Sequence, residues 1–205
     1  MIAIIDYGAG NLRSIRRAIE AGGGAVEITA DPQRVRGAER VVLPGVGAAG
    51  AAMERLVATG MATAVRETAA AGTPLLGLCL GMQLLFDYQE EGDTHGLNLL
   101  GGEVRSLPAG RKVPHMGWNR VQASPASSFN ANGYYYFVHS FVVRPERESD
   151  VAATTDYGLT FPSVIIRDNI WGTQFHPEKS GEAGLSLIRA WLAARPDAPA
   201  RVNAA

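Results

Sequence analysis

Four short apolar runs, Ile2 to Ile5, Ala25 to Thr29, Arg40 to Leu43 and Pro74 to Leu78, alternate with helix-like stretches in the first part of the chain. This alternation restricts the fold more than any other feature, because it is the pattern of a parallel sheet whose faces are covered by the intervening helices. Leu12 to Ala21 reads as the first helix, with Leu12, Ile15 and Ile19 on one face and arginines on the other, and Gly22-Gly23-Gly24 stops it. The breaker Pro44-Gly45-Val46-Gly47 ends the third strand. A helix is expected around Ala52 to Ala71, and the fourth strand runs into Cys79 and another helix.

From Gly101 the character changes to β-rich segments: Glu103 to Ser106, Trp118 to Val121, Tyr134 to Val143, Val151 to Tyr157, Val164 to Arg167 and Ile170 to Phe175. Asp168-Asn169 suits a two-residue hairpin loop between the last two. A final helix is predicted from Ser180, which can cap it, with Leu185, Ile188 and Leu192 at helical spacing. The fold class is therefore α/β: a mostly parallel, doubly wound central sheet with helices on both faces, and an additional antiparallel β region in the second half. At 205 residues with 46% hydrophobic content, one core is the default. One domain is expected over residues 1–195, followed by a loose tail of Ala, Pro, Arg and Asn over 196–205. No internal repeat is visible.

Several function classes drop out. The net charge is −1 and no basic block occurs, so nucleic acid is not an expected partner. Cys79 is the single cysteine and cannot form an internal disulfide. The opening Met-Ile-Ala-Ile-Ile-Asp lacks the basic-then-apolar pattern of a secretory signal, so the reducing cytoplasm is the expected compartment. The longest apolar stretch, Leu75 to Phe86, is broken by Gly77, Gly81 and Gln83 and is shorter than the roughly 18 residues of a membrane span. One cysteine and four scattered histidines make no metal-ligand spacing, and no cofactor is called for. Gly8-Ala9-Gly10 after a strand, with Asp31 further on, imitates a dinucleotide fingerprint, but Arg13 occupies the third glycine position.

The chemistry centres on Gly77-Leu78-Cys79-Leu80-Gly81, which has the spacing of a nucleophile elbow with Cys in place of Ser. The glycines remove side chains where strand and helix come close, and the following helix aims its free N–H groups at the sulfur, favouring the thiolate. A lone cysteine is otherwise a small buried hydrophobe; the flanking glycines favour the nucleophile. His176 in Gln174-Phe175-His176-Pro177-Glu178 is the candidate base at a strand end, and the turn at Pro177 can bring Glu178 back to orient it. His95 reads as solvated, and His115 and His139, in aromatic-rich stretches, as pocket or interface lining. The Leu80 N–H and the Pro44-Gly45-Val46-Gly47 segment are candidate oxyanion donors. Gln83, one turn after Cys79, could hydrogen-bond a polar substrate.

These residues resemble a class I (triad) glutamine amidotransferase domain in Gly77-Leu78-Cys79-Leu80-Gly81-Met82-Gln83 and Phe175-His176-Pro177-Glu178. The blocks Asp6-Tyr7-Gly8-Ala9-Gly10-Asn11, Pro44-Gly45-Val46-Gly47, His115-Met116-Gly117-Trp118-Asn119, Phe137-Val138-His139-Ser140-Phe141 and His176-Pro177-Glu178-Lys179-Ser180 narrow the resemblance to the glutaminase subunits of imidazole glycerol phosphate synthase. The resemblance implies hydrolysis of L-glutamine to glutamate and ammonia through a Cys79 thioester, with His176 moving protons and Glu178 orienting it. It implies oxyanion donors at Val46, Gly47 and Leu80, and substrate contacts at Gly45, Gln83, Ser140 and Phe141. It also implies a (β/α)₈-barrel synthase subunit as heterodimer partner, facing Asn11, Trp118, Asn119, Tyr136 and Lys179. That partner would receive the ammonia through a tunnel and make imidazole glycerol phosphate in histidine biosynthesis. Two other readings stay open on the residues alone: a glutaminase serving another synthase, and a non-catalytic nucleotide-binding module built on the Gly8-Ala9-Gly10 turn.

Overall fold

The computed structural model describes residues 1–125, 127 and 130–194. The chain begins with β1 (Ile2–Ile5), α1 (Leu12–Ala21), β2 (Val26–Thr29), α2 (Pro32–Arg36) and β3 (Arg40–Leu43). It continues through α3 (Ala49–Ala58), α4 (Met61–Ala70), β4 (Leu75–Leu78) and a single turn, α5 (Leu80–Gln83). Strands then dominate: β5 (Phe86–Gln89), β6 (Thr94–His95), β7 (Leu100–Ser106), β8 (His115–Ala123), β9 (Gly133–His139), β10 (Phe141–Pro145), β11 (Val151–Asp156), β12 (Thr160–Arg167) and β13 (Ile170–Thr173). Helix α6 (Gly181–Ala193) closes the described chain.

Nine strands form one sheet in the order β2-β1-β3-β4-β13-β12-β11-β8-β9. The strands from β2 to β13 are parallel neighbours, and from β13 outward the pairing is antiparallel. The antiparallel region thus mainly extends the central sheet, while β10-β7-β5-β6 make a separate small one. Consecutive residues of the parallel strands go to opposite cores, which is why those strands read as unbroken apolar runs. Ile2, Ile4, Val42 and Leu76 meet Ile15 and Ile19 of α1 and Ile188 and Trp191 of α6. Ala3, Ile5, Val41, Leu43 and Leu75 meet the residues of α3 and α4 on the other face. Strand order reverses beside β1, and the connections after β1 and β3 leave for opposite faces, so a crevice opens at the carboxyl ends of the strands.

Local differences from the sequence reading have identifiable causes. The expected helix over Ala52 to Ala71 is two helices, because Gly60 adopts φ +71° and turns the chain between α3 and α4. The expected strand over Tyr134 to Val143 divides at Ser140, with β9 in the large sheet and β10 in the small one. The helix after Cys79 lasts one turn before the chain departs for the small sheet, where the Leu97 and Leu99 N–H groups donate to Leu84 and Leu85. Helix α2 was missed although Asp31, whose side chain accepts from Gln33 N at 2.8 Å, and Pro32 at the first helical position are its start signal. Ser180 does not cap α6: its hydroxyl accepts from Tyr136 N at 3.0 Å and donates to His176 O at 2.6 Å. Asp168-Asn169 does form the two-residue loop, pairing Arg167 with Ile170. The tail over 196–205, and Arg195 before it, lie outside the described residues. No helix among the described residues is long and apolar enough to cross a membrane.

Candidate active site

Strands β4 and β13 are parallel neighbours with Leu78 opposite Thr173, so the residues that follow them, Cys79 and Gln174 to His176, emerge side by side. The Cys79 N–H donates to Thr173 O at 2.7 Å. Cys79 has φ +54°, a left-handed conformation that costs a non-glycine residue on the order of 1 kcal/mol. The surrounding junction holds it there through three glycines. A Cβ on Gly77 would come within 2.8 Å of the Met82 backbone, and one on Gly45 within 2.6 Å of Gly81 N. A Cβ on Gly81 would run into the Leu43 carbonyl oxygen.

The sulfur faces a cavity of about 410 Å³ lined by residues including Val46, Gly47, Leu80, Gln83, Glu91, His139, Ser140, Phe141 and His176. That volume lies in the range of small-molecule sites. His176 Nδ1 sits 2.9 Å from Glu178 Oε1, and both side chains are buried. The other ring nitrogen, Nε2, has no partner within hydrogen-bonding geometry and is the nitrogen left for the sulfur. Burial works against a charged imidazole here, but the Cys79 sulfur and the Glu178 carboxylate outweigh it and raise the His176 pKa to about 9. An imidazolium beside a sulfur, braced from behind by a carboxylate, can activate a nucleophile and then protonate a leaving group.

Leu80 opens the turn after the elbow, where an N–H has no acceptor within the helix. Across the cavity, Val46 and Gly47 are exposed, and Gly47 has φ +90° with no atom within 4 Å of where a Cβ would stand. Their peptide planes therefore have room to turn. Gly45 lies behind them, buried against Leu80 and Gly81, so it packs the wall and does not line the cavity. The segment is anchored at its root by Tyr7, whose hydroxyl donates to Pro44 O at 3.0 Å. Burial and the nearby sulfur push the Tyr7 pKa up, which keeps that hydroxyl a donor. Gly10 is also close, with Pro44 Cβ 3.2 Å from its Cβ position, so the Gly8-Ala9-Gly10 turn is packed against this segment.

Gln83, Ser140 and Phe141 all line the cavity. Sequence reasoning missed Glu91 and Gln174. Glu91 reaches the cavity from beyond β5 and accepts from Ala49 N, at the start of α3, at 2.8 Å; nothing local distinguishes it from a solvated glutamate. Gln174 is fully buried and places Nε2 3.8 Å from the sulfur; its position within Gln174-Phe175-His176 was the available signal. His95 is exposed. His139 lines the cavity, and His115 is buried behind it between Phe137 and Tyr157.

Of the residues assigned to a partner face, Trp118 and Tyr136 lie together on one side of the β8–β9 pair, ring centroids 6.2 Å apart. Lys179 stands over the Tyr136 ring at 5.6 Å. Trp118 is 58% exposed, as are its neighbours Met116 (60%) and Tyr134 (62%). Asn119 points to the other side, donating to Asp156 O at 2.9 Å. Asn11 is exposed at the start of α1, a helix that packs on the Pro177–Lys179 turn. Among the described residues no group of three or more His, Cys, Asp or Glu side chains could hold a metal ion.

Comparison with known proteins gives this geometry a family. A model for glutamine amidotransferase class-I matches residues 3–193. Imidazole glycerol phosphate synthase subunit HisH of Moorella thermoacetica is 51% identical over 193 residues, covering 92% of each chain. The protein of that name from Caldanaerobacter subterraneus is 46% identical over 194 residues, 92% of this chain and 96% of its own. A crystal structure of glutamine amidotransferase shares the fold, with TM-score 0.76 and 19% identity, over 94% of this chain and 97% of its own. The chain belongs to the class-I glutamine amidotransferase family and, within it, to the group named imidazole glycerol phosphate synthase subunit HisH.

Proposed function

We propose that the chain hydrolyses L-glutamine to glutamate and ammonia and delivers the ammonia to a (β/α)₈ synthase subunit that makes imidazole glycerol phosphate in histidine biosynthesis. The observation that carries this reading is one cavity holding the Cys79 sulfur and the His176 imidazole, with Glu178 2.9 Å behind the imidazole. The sulfur attacks the carboxamide carbon, and the C–N electron pair leaves with a proton from His176 as ammonia. Water, giving a proton to His176, then cleaves the thioester and restores the thiol. The oxyanion of each tetrahedral intermediate falls to the Leu80 N–H and to an N–H of Val46 or Gly47. Gln83, Ser140 and Phe141 shape the site for substrate, and the Glu91 carboxylate in the same lining complements the substrate ammonium.

The partner reading is supported by the apolar face of β8 and β9. Val138 lies two residues beyond Tyr136 on that face and also lines the cavity, so the wall that holds substrate is continuous with the exposed surface. Aromatic residues left uncovered in this way mark interaction sites. The open surroundings of Gly47 further support gating, in which the oxyanion segment turns its N–H inward only when the partner holds its ligand. A nucleophile that must stay reduced suits the cytoplasm, and residues 1–195 would act as one domain.

The deciding experiment is Cys79→Ser in the reconstituted complex, assayed with glutamine and with ammonium salts separately. Glutamine-dependent synthesis should disappear while ammonium-dependent synthesis survives. Loss of both, or survival of both, overturns the reading. If the isolated chain hydrolysed glutamine as fast as the liganded complex, gating would fall while the chemistry stood.

A further inference from the structure

The Cys79 sulfur has two polar neighbours of opposite character besides His176. The Val138 carbonyl, at 3.8 Å, accepts from the protonated thiol. The Gln174 side-chain nitrogen, also at 3.8 Å, has a proton to give and suits the anion. We propose that Gln174 is a donor to the Cys79 sulfur anion, aimed there by a hydrogen-bond chain whose direction backbone carbonyls impose. This deepens the reading of Cys79 as nucleophile and rests on it.

The direction follows from what each group can do. The Phe141 carbonyl can only accept, so the Gln83 group 3.0 Å from it is the amide nitrogen. That nitrogen's second proton goes to Gln174 at 3.1 Å, so the Gln174 atom there is its oxygen. The Gln174 nitrogen is therefore left facing the sulfur. The same Phe141 carbonyl accepts from His139 Nδ1 at 2.9 Å, so His139 Nε2 must accept from His115 Nδ1, also at 2.9 Å. His115 Nε2 then accepts from Asn119 Nδ2 at 3.2 Å, and the other Asn119 proton goes to Asp156 O. Carbonyls at both ends, Asp156 and Phe141, forbid reversal of this arm. Gln174 itself is fully buried and its backbone N–H is held by Ser163 O at 3.0 Å, so neither the amide nor its backbone has water to turn to.

The charged and titratable groups around the sulfur come from several elements. His176, backed by Glu178, faces it from the turn after β13, and His139 from β9. Glu91 shares the cavity, and Tyr7 lies near the sulfur with Arg55 of α3 beside it. Burial lowers the His139 pKa to about 3, so that ring is neutral and His176 is the cationic neighbour. A fixed N–H dipole from Gln174 adds to that cation without competing for its proton.

The test is alkylation of the full-length chain by iodoacetamide at pH 7 and at pH 10, with Gln174→Met as an apolar replacement of similar length and Gln174→Leu as a second. Loss of a charge-assisted hydrogen bond should slow alkylation about tenfold at pH 7. At pH 10 the rates should agree within about twofold, because a donor that acts by favouring the anion matters less as hydroxide rises. A merely structural role would slow both or neither. Wild-type rates at pH 7 in whichever variant folds, or equal slowing at both values, overturn the proposal. Alkylation needs no glutamine turnover, so a wild-type complex inactive on glutamine would sink the functional reading and leave this result interpretable.

Discussion

His176 Nδ1 and Glu178 Oε1 lie 2.9 Å apart across a single proline, and the Glu178 side chain is almost wholly buried. The carboxylate thus follows its histidine in sequence and is delivered by the short turn Pro177–Lys179. Replacing it by the neutral isostere should lower the His176 pKa from about 9, because the carboxylate is one of the two groups holding it up. In Glu178→Gln, glutamine turnover should fall on the order of 10²-fold. The alkaline limb of kcat/KM should also move to lower pH, since the imidazolium is lost earlier. A pH profile of the reconstituted complex checks both; an unmoved alkaline limb would remove Glu178 from the proposed triad.

Two glycines near the sulfur should respond differently to the same change. Gly81→Ala drives a methyl group into the Leu43 carbonyl, so it should destabilise by more than about 3 kcal/mol or abolish soluble expression. Gly47→Ala meets no atom within 4 Å but sits at φ +90°, so it should cost only about 1–2 kcal/mol. Because it restricts the segment proposed to hold the oxyanion, it should nevertheless depress glutaminase turnover more than tenfold. Urea unfolding alongside turnover measurements separates the two effects.

Acid should weaken the fold through the buried histidine pair. Burial lowers the pKa of His139 to about 3 and that of His115 to about 4. An unfolded histidine titrates near 6.5, so below that pH the unfolded chain binds protons that the folded one refuses. Stability is therefore full above about 6.5 and declines as pH falls toward the folded values, His139 alone removing about 2 kcal/mol by pH 5. His176 has the opposite sign: its contribution is complete below 6.5 and is lost as pH rises toward 9. Urea midpoints at pH 7, 6 and 5 test this, and His115→Phe, which keeps the ring between Phe137 and Tyr157, should flatten the acid decline. Nitrogen-15 spectra at pH 7 should show both His115 and His139 protonated at Nδ1.

The β8–β9 face should matter to association far more than to folding. Trp118 is 58% exposed, so Trp118→Ala should leave the midpoint of unfolding within about 0.5 kcal/mol of wild type. Affinity for the synthase subunit should fall by about 2 kcal/mol, roughly 30-fold. Calorimetric titration with that subunit provides the measurement, and unchanged affinity would move the interface elsewhere.

The sequence by itself determined the elements whose cause is local. Apolar runs specified β1, β3 and β4, glycine spacing identified the elbow at Cys79, and Pro177 placed Glu178 within reach of His176. It could not show that a helix would break at Gly60 or that a strand would change sheets at Ser140, because each depends on what the chain packs against. Glu91 was illegible for the same reason: its place in the cavity comes from neighbours distant in sequence, not from a pattern around it. Tertiary structure alone decided that Leu78 lies opposite Thr173, which brings the sulfur and the imidazole to adjacent strand ends. It also decided the direction of every amide around the sulfur, since a side-chain amide can point either way until a buried carbonyl leaves it one choice.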